Sequence, residues 1–174
     1  DRATGRMVHL PDAPFLVGEL SPVDVLAGFV DGPVTVDNDV NWAARAERHA
    51  VGSQVLDDFA YIYLGEGLVC AIVNDGEVRR GNAGLAGEIA HLLTIGARGR
   101  AVPLIDVFDE LHLRRAGSTA IDVLRLRNAV DGKDARASVV REALAKAVSG
   151  VLAAIVALAD PKLIVIGGSW GRHT

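Results

Sequence analysis

One segment limits the fold more than any other. From about Asp134 to Ala159 the apolar residues Val140, Leu144, Ala147, Val148, Val151, Leu152, Ile155 and Leu158 recur at spacings of three and four. That period predicts a long helix with one core-facing stripe. Every residue from Val151 to Ala159 is apolar, which predicts burial on all sides at that end. Asp160-Pro161 then enforces a stop, because the residue before proline is pushed out of helical space. The next residues, KLIVI at 162–166, predict a short buried strand, and GGSWG a turn. A helix that delivers the chain into a buried strand belongs to an α/β architecture, in which helices cover a sheet.

The rest of the chain fits that frame. PVTVD at 33–37 predicts a short strand. Asn38 and Asp39 can cap a following helix over about 40–51, since their side chains accept the free amide hydrogens of its first turn, and Gly52 ends it. FAYIYLG at 59–65 and GLVCAIVND at 67–75 predict two strands. Asp75-Gly76 is a hairpin signal, with EVRRG returning. Gly81, Gly84 and Gly87 punctuate GNAGLAGEIAH at 81–91, a tight loop entering a short helical turn. Residues 103–116 and 118–129 predict two modest helices, with Ser118 and Asp131 as caps. There is no internal repeat, low-complexity run or dividing linker, so residues 1–174 read as a single domain.

Composition excludes several classes. Eighteen Lys+Arg against 22 Asp+Glu leave a net charge of −4 with no basic tract, a poor basis for gripping nucleic acid. No apolar run reaches ~18 residues, which argues against a membrane span. The one cysteine, Cys70, makes neither an internal disulfide nor a multi-thiolate metal site. No charged-then-apolar leader is evident, so a cytoplasmic setting is expected. The chain opens on Asp1 in the turn-rich DRATGRMVHLPDAPF, and it closes at Thr174, soon after a strand and glycine turn that normally lead into a helix. A piece of a longer protein is expected.

Four groups of residues can carry chemistry. In NDVNWAARAE, Asp39 at a helix N-terminus is kept ionised by the helix dipole and can take a proton from a substrate hydroxyl, while Asn38 offers a donor and an acceptor. Simple capping by Asp39 explains the same residues. In GLAGEIAH, Glu88 and His91 lie three apart, on one face of a helical turn, and can bind adjacent hydroxyls or a metal. A capping glutamate and a satisfied histidine are the alternative. In YLGEG, the Gly65 and Gly67 bend can present amides to a phosphate. There the Glu66 anion, about 4 Å from a phosphate charge, would cost on the order of 4 kcal/mol at an effective dielectric of 20, and a plain hairpin turn fits as well. In IVIGGSWG, Gly167 and Gly168 permit close approach by a nucleotide, or only a tight turn.

Taken together and in this order, these segments resemble the ROK family (repressor, open reading frame, kinase) over nearly the whole chain, from DRATG to GGSWG. The resemblance implies an actin-like, ribonuclease-H-like α/β fold, incomplete at both ends, with a sugar held between two lobes. VDND places Asp39 at the family's catalytic base and Asn38 at the adjoining sugar contact. GLAGEIAH matches the family's GxxGExGH segment, so Glu88 and His91 take its sugar-binding pair, with Ala90 where a glycine is usual. LIDVF puts Asp106 at the place of a further sugar-binding glutamate. Gly65, Glu66 and Gly67 stand where the kinases have Gly-Thr-Gly, and Gly167 and Gly168 near the nucleotide base. Both loops are expected to be degenerate.

Two departures follow from the same resemblance. The family's zinc-binding cysteine cluster is missing, since Leu92 to Pro103 holds no cysteine, so no zinc and no other metal is expected. The first-lobe Asp-x-Gly-Gly phosphate strand is missing as well. The resemblance therefore implies the sugar-sensing, dimerising part of a transcriptional repressor that binds a hexose or amino sugar and reaches DNA through a winged helix outside this sequence. The alternative is an ATP-dependent sugar kinase, glucokinase-like or N-acetylhexosamine kinase-like, with Asp39 as base and Mg-ATP as donor.

Overall fold

The computed structural model describes residues 21–50, 55–82 and 84–171. The opening fifteen residues, the predicted helix stop at Gly52 and the final Thr174 lie outside the described residues.

The elements run α1 (Pro22–Leu26), α2 (Asp39–Ala50), β1 (Phe59–Leu64), β2 (Leu68–Asn74), β3 (Glu77–Val78), a 3-10 turn (Ile89–His91), β4 (Leu93–Ile95), β5 (Ala101–Pro103), α3 (Leu104–Glu110), α4 (Val123–Asp131), α5 (Ala135–Ala159) and β6 (Leu163–Gly167). A four-stranded sheet has the order β3-β2-β1-β6. β1 pairs antiparallel with β2 and parallel with β6, which is the crossover that the long helix makes.

β1 sits centrally and is buried on both faces, which is why FAYIYL is apolar throughout. Ala60, Ile62 and Leu64 point into one core with α3, α4 and α5. Phe59 and Tyr61 point into a second core with Val40 and Ala44 of α2. The result is a sheet between two helical layers. Asp75 and Gly76 both have positive φ, as the tight turn between β2 and β3 requires.

Several expectations need correcting. Residues 33–38 form no strand; they carry no regular secondary structure and have no ladder partner among the described residues. The predicted helix over 103–116 stops at Glu110, and the one over 118–129 begins only at Val123. Asp122, not Ser118, caps α4, accepting from the Arg125 amide, and Asp134, not Asp131, caps α5. Ser118 instead serves a turn, where its hydroxyl accepts from the Ala120 amide. Capping chemistry was read correctly in kind, but neighbouring acceptors compete for the same role.

α5 also departs from expectation at its end. Val151 and Ile155 are buried, yet Val156 is half-exposed and Leu158 is 85% exposed. β6 is at the sheet edge, so Leu163 and Ile166 are exposed and the strand is not buried. By length and composition alone α5 is apolar enough to cross a membrane, contrary to the expectation that no stretch is. Its buried stripe, however, packs into the core against β4, α3 and α4, the position of a core helix.

The cysteine-free stretch after His91 forms the β4–β5 hairpin. Its buried Thr94 hydroxyl donates to the Ala147 carbonyl of α5 at 2.8 Å, and Gly150 leaves room for that side chain. Phe108 of α3 is fully buried and tilts against Trp170 at 5.7 Å between ring centroids. Phe108→Ala should therefore cost about 3–5 kcal/mol through lost burial and the cavity left behind, read as a lower denaturation midpoint at unchanged slope.

Candidate functional site

The topology gathers the predicted residues at one end of the sheet. β1 and β6 are parallel, so both deliver their C-terminal turns, Gly65–Gly67 and Gly168–Trp170, to the same end. α2 runs back along β1: the Leu56 amide, just before β1 starts, donates to the Arg48 carbonyl near the helix C-terminus. The α2 N-terminus, with Asn38 and Asp39, therefore lies toward the end where β1 finishes. Open α/β sheets bind ligands beyond the carboxyl ends of their parallel strands.

Asn38 and Asp39 share the capping work. The Val40 amide donates to Asn38 Oδ1 and to Asp39 Oδ1, both at 2.8 Å. Among the described residues, Asp39 Oδ2 and the Asn38 Nδ2 group have no protein partner. Capping and ligand binding are compatible here, since each uses different atoms.

Glu88 reaches the same place by another route. Gly87 has φ +93° and lies directly on β2, where its carbonyl accepts from the Cys70 amide at 2.8 Å. A Cβ on Gly87 would run into the Cys70 carbonyl oxygen. Glu88 follows at the entrance of the 3-10 turn and makes no side-chain capping bond, which removes the capping alternative. Burial pushes the Glu88 carboxyl above its ordinary value; His91 pulls it down and Asp39 raises it further. His91 and Asp39 are thus the charged groups that act on the Glu88 carboxyl. His91 is exposed on the same turn.

A half-buried carboxylate with no protein hydrogen-bond partner among the described residues is held at a cost in stability. It suits a ligand hydroxyl that would donate to it. Protonation, conversely, favours the folded state. With the folded value raised above 4.5, the stability that Glu88 contributes is present at lower pH and is lost as pH rises through the raised value. The wild type minus Glu88→Gln difference in melting temperature should become more negative as pH rises from about 4 to 7.

Asp106 sits in the first turn of α3, which packs on the 3-10 turn, but its carboxylate faces Arg114 at 3.9 Å. The two glycine turns are bound to each other. The Trp170 indole N–H donates to the Gly65 carbonyl at 2.9 Å, and the Trp170 amide donates to the Leu64 carbonyl at 3.2 Å. Gly168, at φ +94°, packs against the Leu64 backbone, and Gly167 against the Tyr61 ring. In the Gly65–Gly67 bend the Gly65 amide donates to the Gly67 carbonyl at 3.1 Å, and the Ile121 amide to the Glu66 carbonyl at 2.9 Å. The Glu66 carboxylate is ion-paired with Arg115. The isolated anion expected at this loop is thus neutralised by a cation 49 positions away in the chain.

Three charged neighbours of the candidate residues went unread in the sequence: Asp37, Arg80 and Arg115. Asp37 is buried, with Arg45 and Arg80 at 2.7 and 2.8 Å from its Oδ2. The signal was present in VDND, where three acceptors precede a helix that needs one or two. Among the described residues no three His, Cys, Asp or Glu side chains gather to hold a metal, and the stretch from Leu92 to Pro103 offers no cysteine.

Comparison with known proteins gives the family and the fold. The ROK family pattern matches residues 19–106, just over half of the sequence. The chain belongs to the ROK family. It is 30% identical over 177 aligned positions to an N-acetylmannosamine kinase of Citrobacter koseri, covering 96% of this chain and 57% of that protein. A ROK family glucokinase from Streptomyces griseus, solved with glucose and AMPPNP, superposes with TM-score 0.62 at 26% identity, over 85% of this chain and 56% of that one. A ROK family transcriptional regulator, a homologue of the E. coli MLC protein, shares the fold with TM-score 0.68 at 24% identity, over 96% of this chain and 46% of that one. The mixed α/β fold is therefore that of ROK sugar kinases. The ROK chain described here spans about half the length of the curated relatives it matches.

Proposed function

We propose that this ROK chain is the sugar-sensing and dimerising part of a cytoplasmic transcriptional repressor. A hexose or amino sugar is the effector, bound in the cleft by Asn38, Asp39, Glu88 and His91, with Asp106 at its margin. DNA is contacted by a segment outside this sequence. Sugar binding biases the relative position of the two lobes, and with it the attached DNA-binding part. Neither zinc nor any other cofactor enters this reading.

The observation that carries it is Glu66. The family resemblance implies a threonine hydroxyl at this loop in the kinases; here a carboxylate stands in its place, already committed to Arg115. The pair cancels the repulsion toward a phosphate, but it leaves neither the hydroxyl nor a vacant cation.

A second reading is an ATP-dependent sugar kinase. Relatives named as kinases, at 30% and 26% identity, favour it, and so does the Asp39 oxygen left free at a helix N-terminus. In that role Asp39 would accept the sugar hydroxyl proton while Mg-ATP supplies the phosphoryl group. Incubating the full-length protein with Mg-ATP and a panel of hexoses and N-acetylhexosamines separates the two. The repressor reading expects no ADP above the rate without sugar. Sugar-dependent ADP release that is lost in Asp39→Asn would overturn it in favour of the kinase.

A further inference from the structure

Asp37 precedes the two residues assigned to sugar and is itself turned inward, with its side chain 7% exposed. The α2 N-terminus does not need it, because Asn38 and Asp39 already satisfy the Val40 amide. Its partners come from three parts of the chain. The Asn38 amide donates to Oδ1 at 3.0 Å, and Asn41 Nδ2 to the same oxygen at 2.8 Å. The guanidinium groups of Arg45 and Arg80 meet Oδ2 at 2.7 and 2.8 Å. Arg45 also stacks over the Trp42 ring at 4.7 Å, which fixes it to α2.

Arg80 is the partner that matters beyond α2. It follows β3 and opens the glycine loop that ends at Glu88. Its carbonyl accepts from the Ala86 amide at 3.4 Å, next to the Gly87 contact on β2. One carboxylate thus joins the segment carrying Asn38 and Asp39 to the loop carrying Glu88. Burial raises the Asp37 carboxyl, but hydrogen bonds from Asn41 and the Asn38 amide, with the Arg45 and Arg80 guanidinium groups beside it, outweigh it and hold the group below its ordinary value. The carboxylate therefore stays ionised and keeps both guanidinium groups.

We propose that Asp37 is a positioning residue: through Arg80 it fixes the Glu88 loop against the α2 N-terminus, so that the two halves of the sugar site stay at one spacing. The sugar part of this inference rests on the reading of the site given above; the link between the two segments does not.

The test uses full-length wild type, Arg80→Gln, Arg80→Lys, Asp37→Asn and the Asp37→Asn/Arg80→Gln double variant. Hydrogen exchange is followed over residues 80–88 and over α5, and the same proteins are titrated with hexoses and N-acetylhexosamines. Arg80→Gln should speed exchange in the loop about tenfold or more, leave α5 unchanged, and weaken sugar binding on the order of tenfold, since misplacing a contacting group by about 1 Å can cost up to about a hundredfold. Arg80→Lys should restore most of both, because a lysine still pairs with the carboxylate. The double variant should fall no further than Asp37→Asn. Wild-type loop exchange in Arg80→Gln, or losses that simply add in the double variant, would overturn the proposal. A wild type that binds no sugar would overturn the reading of the site, while loop exchange would still decide whether Asp37 holds the loop through Arg80.

Discussion

Gly87→Ala is expected to lower the melting temperature by about 4–24 °C and to abolish sugar binding with it. The position has φ +93°, where a side chain costs about 1–3 kcal/mol in backbone strain. The new Cβ would also meet the Cys70 carbonyl oxygen, so the loop must lift off β2 and give up the bond from the Cys70 amide to the Gly87 carbonyl. An unpaired buried backbone group adds about 1–3 kcal/mol. Together these come to roughly 2–6 kcal/mol, which at about 2–4 °C per kcal/mol for a domain of this size is about 4–24 °C. Gly84→Ala is the control. Its φ is +77°, but a Cβ there meets nothing within 4 Å, so only the backbone strain of a side chain at positive φ, about 1–2 kcal/mol, is added. Equal melting shifts for the two variants would refute the close-contact argument.

Glu88→Ala has the opposite pattern. The carboxylate is half-buried and makes no side-chain capping bond, so removing it should leave stability unchanged or raise it. Sugar affinity should nevertheless fall. A charged hydrogen bond to a hydroxyl is worth about 1.5–3 kcal/mol, which is roughly ten- to a hundredfold in affinity. His91→Ala should fall in the same direction by a smaller factor, because the imidazole is more exposed and its hydrogen bonds are neutral when it is uncharged. Loss of binding accompanied by a large loss of stability would mean that Glu88 supports the fold and not a ligand.

Sequence reasoning reached the parts of this molecule that are set by local chemistry. The continuous apolar run FAYIYL marked the central strand, and Asp75-Gly76 marked the tight turn. Asp160-Pro161 marked the end of α5, where Asp160 takes the left-handed conformation. Asn38, Asp39, Glu88 and His91 could be singled out as candidates because each pair lies within one short segment. What was missed depends on partners far apart in the chain. Leu158 reads as core, yet whether a helix face is covered is decided by what packs on it, and among the described residues nothing covers that face. Asp37 is explained by Arg45 and Arg80, and Glu66 by Arg115, 49 positions away. No periodicity reports such pairs. Trp170 was read only as part of a glycine turn, whereas its ring fills the core beside Phe108 and its N–H closes the bend at Gly65.

Calorimetric titration of the full-length protein with hexoses and N-acetylhexosamines, run in parallel on wild type, Glu88→Ala and His91→Ala, tests the central claim most directly. A polyol site built from Asn38, Asp39, Glu88 and His91 predicts saturable heat with at least one sugar in the wild type, and weakened or absent heat in both variants at an undiminished melting temperature. No heat and no melting shift with any sugar in the folded wild type, or variants that bind as the wild type does, would contradict it.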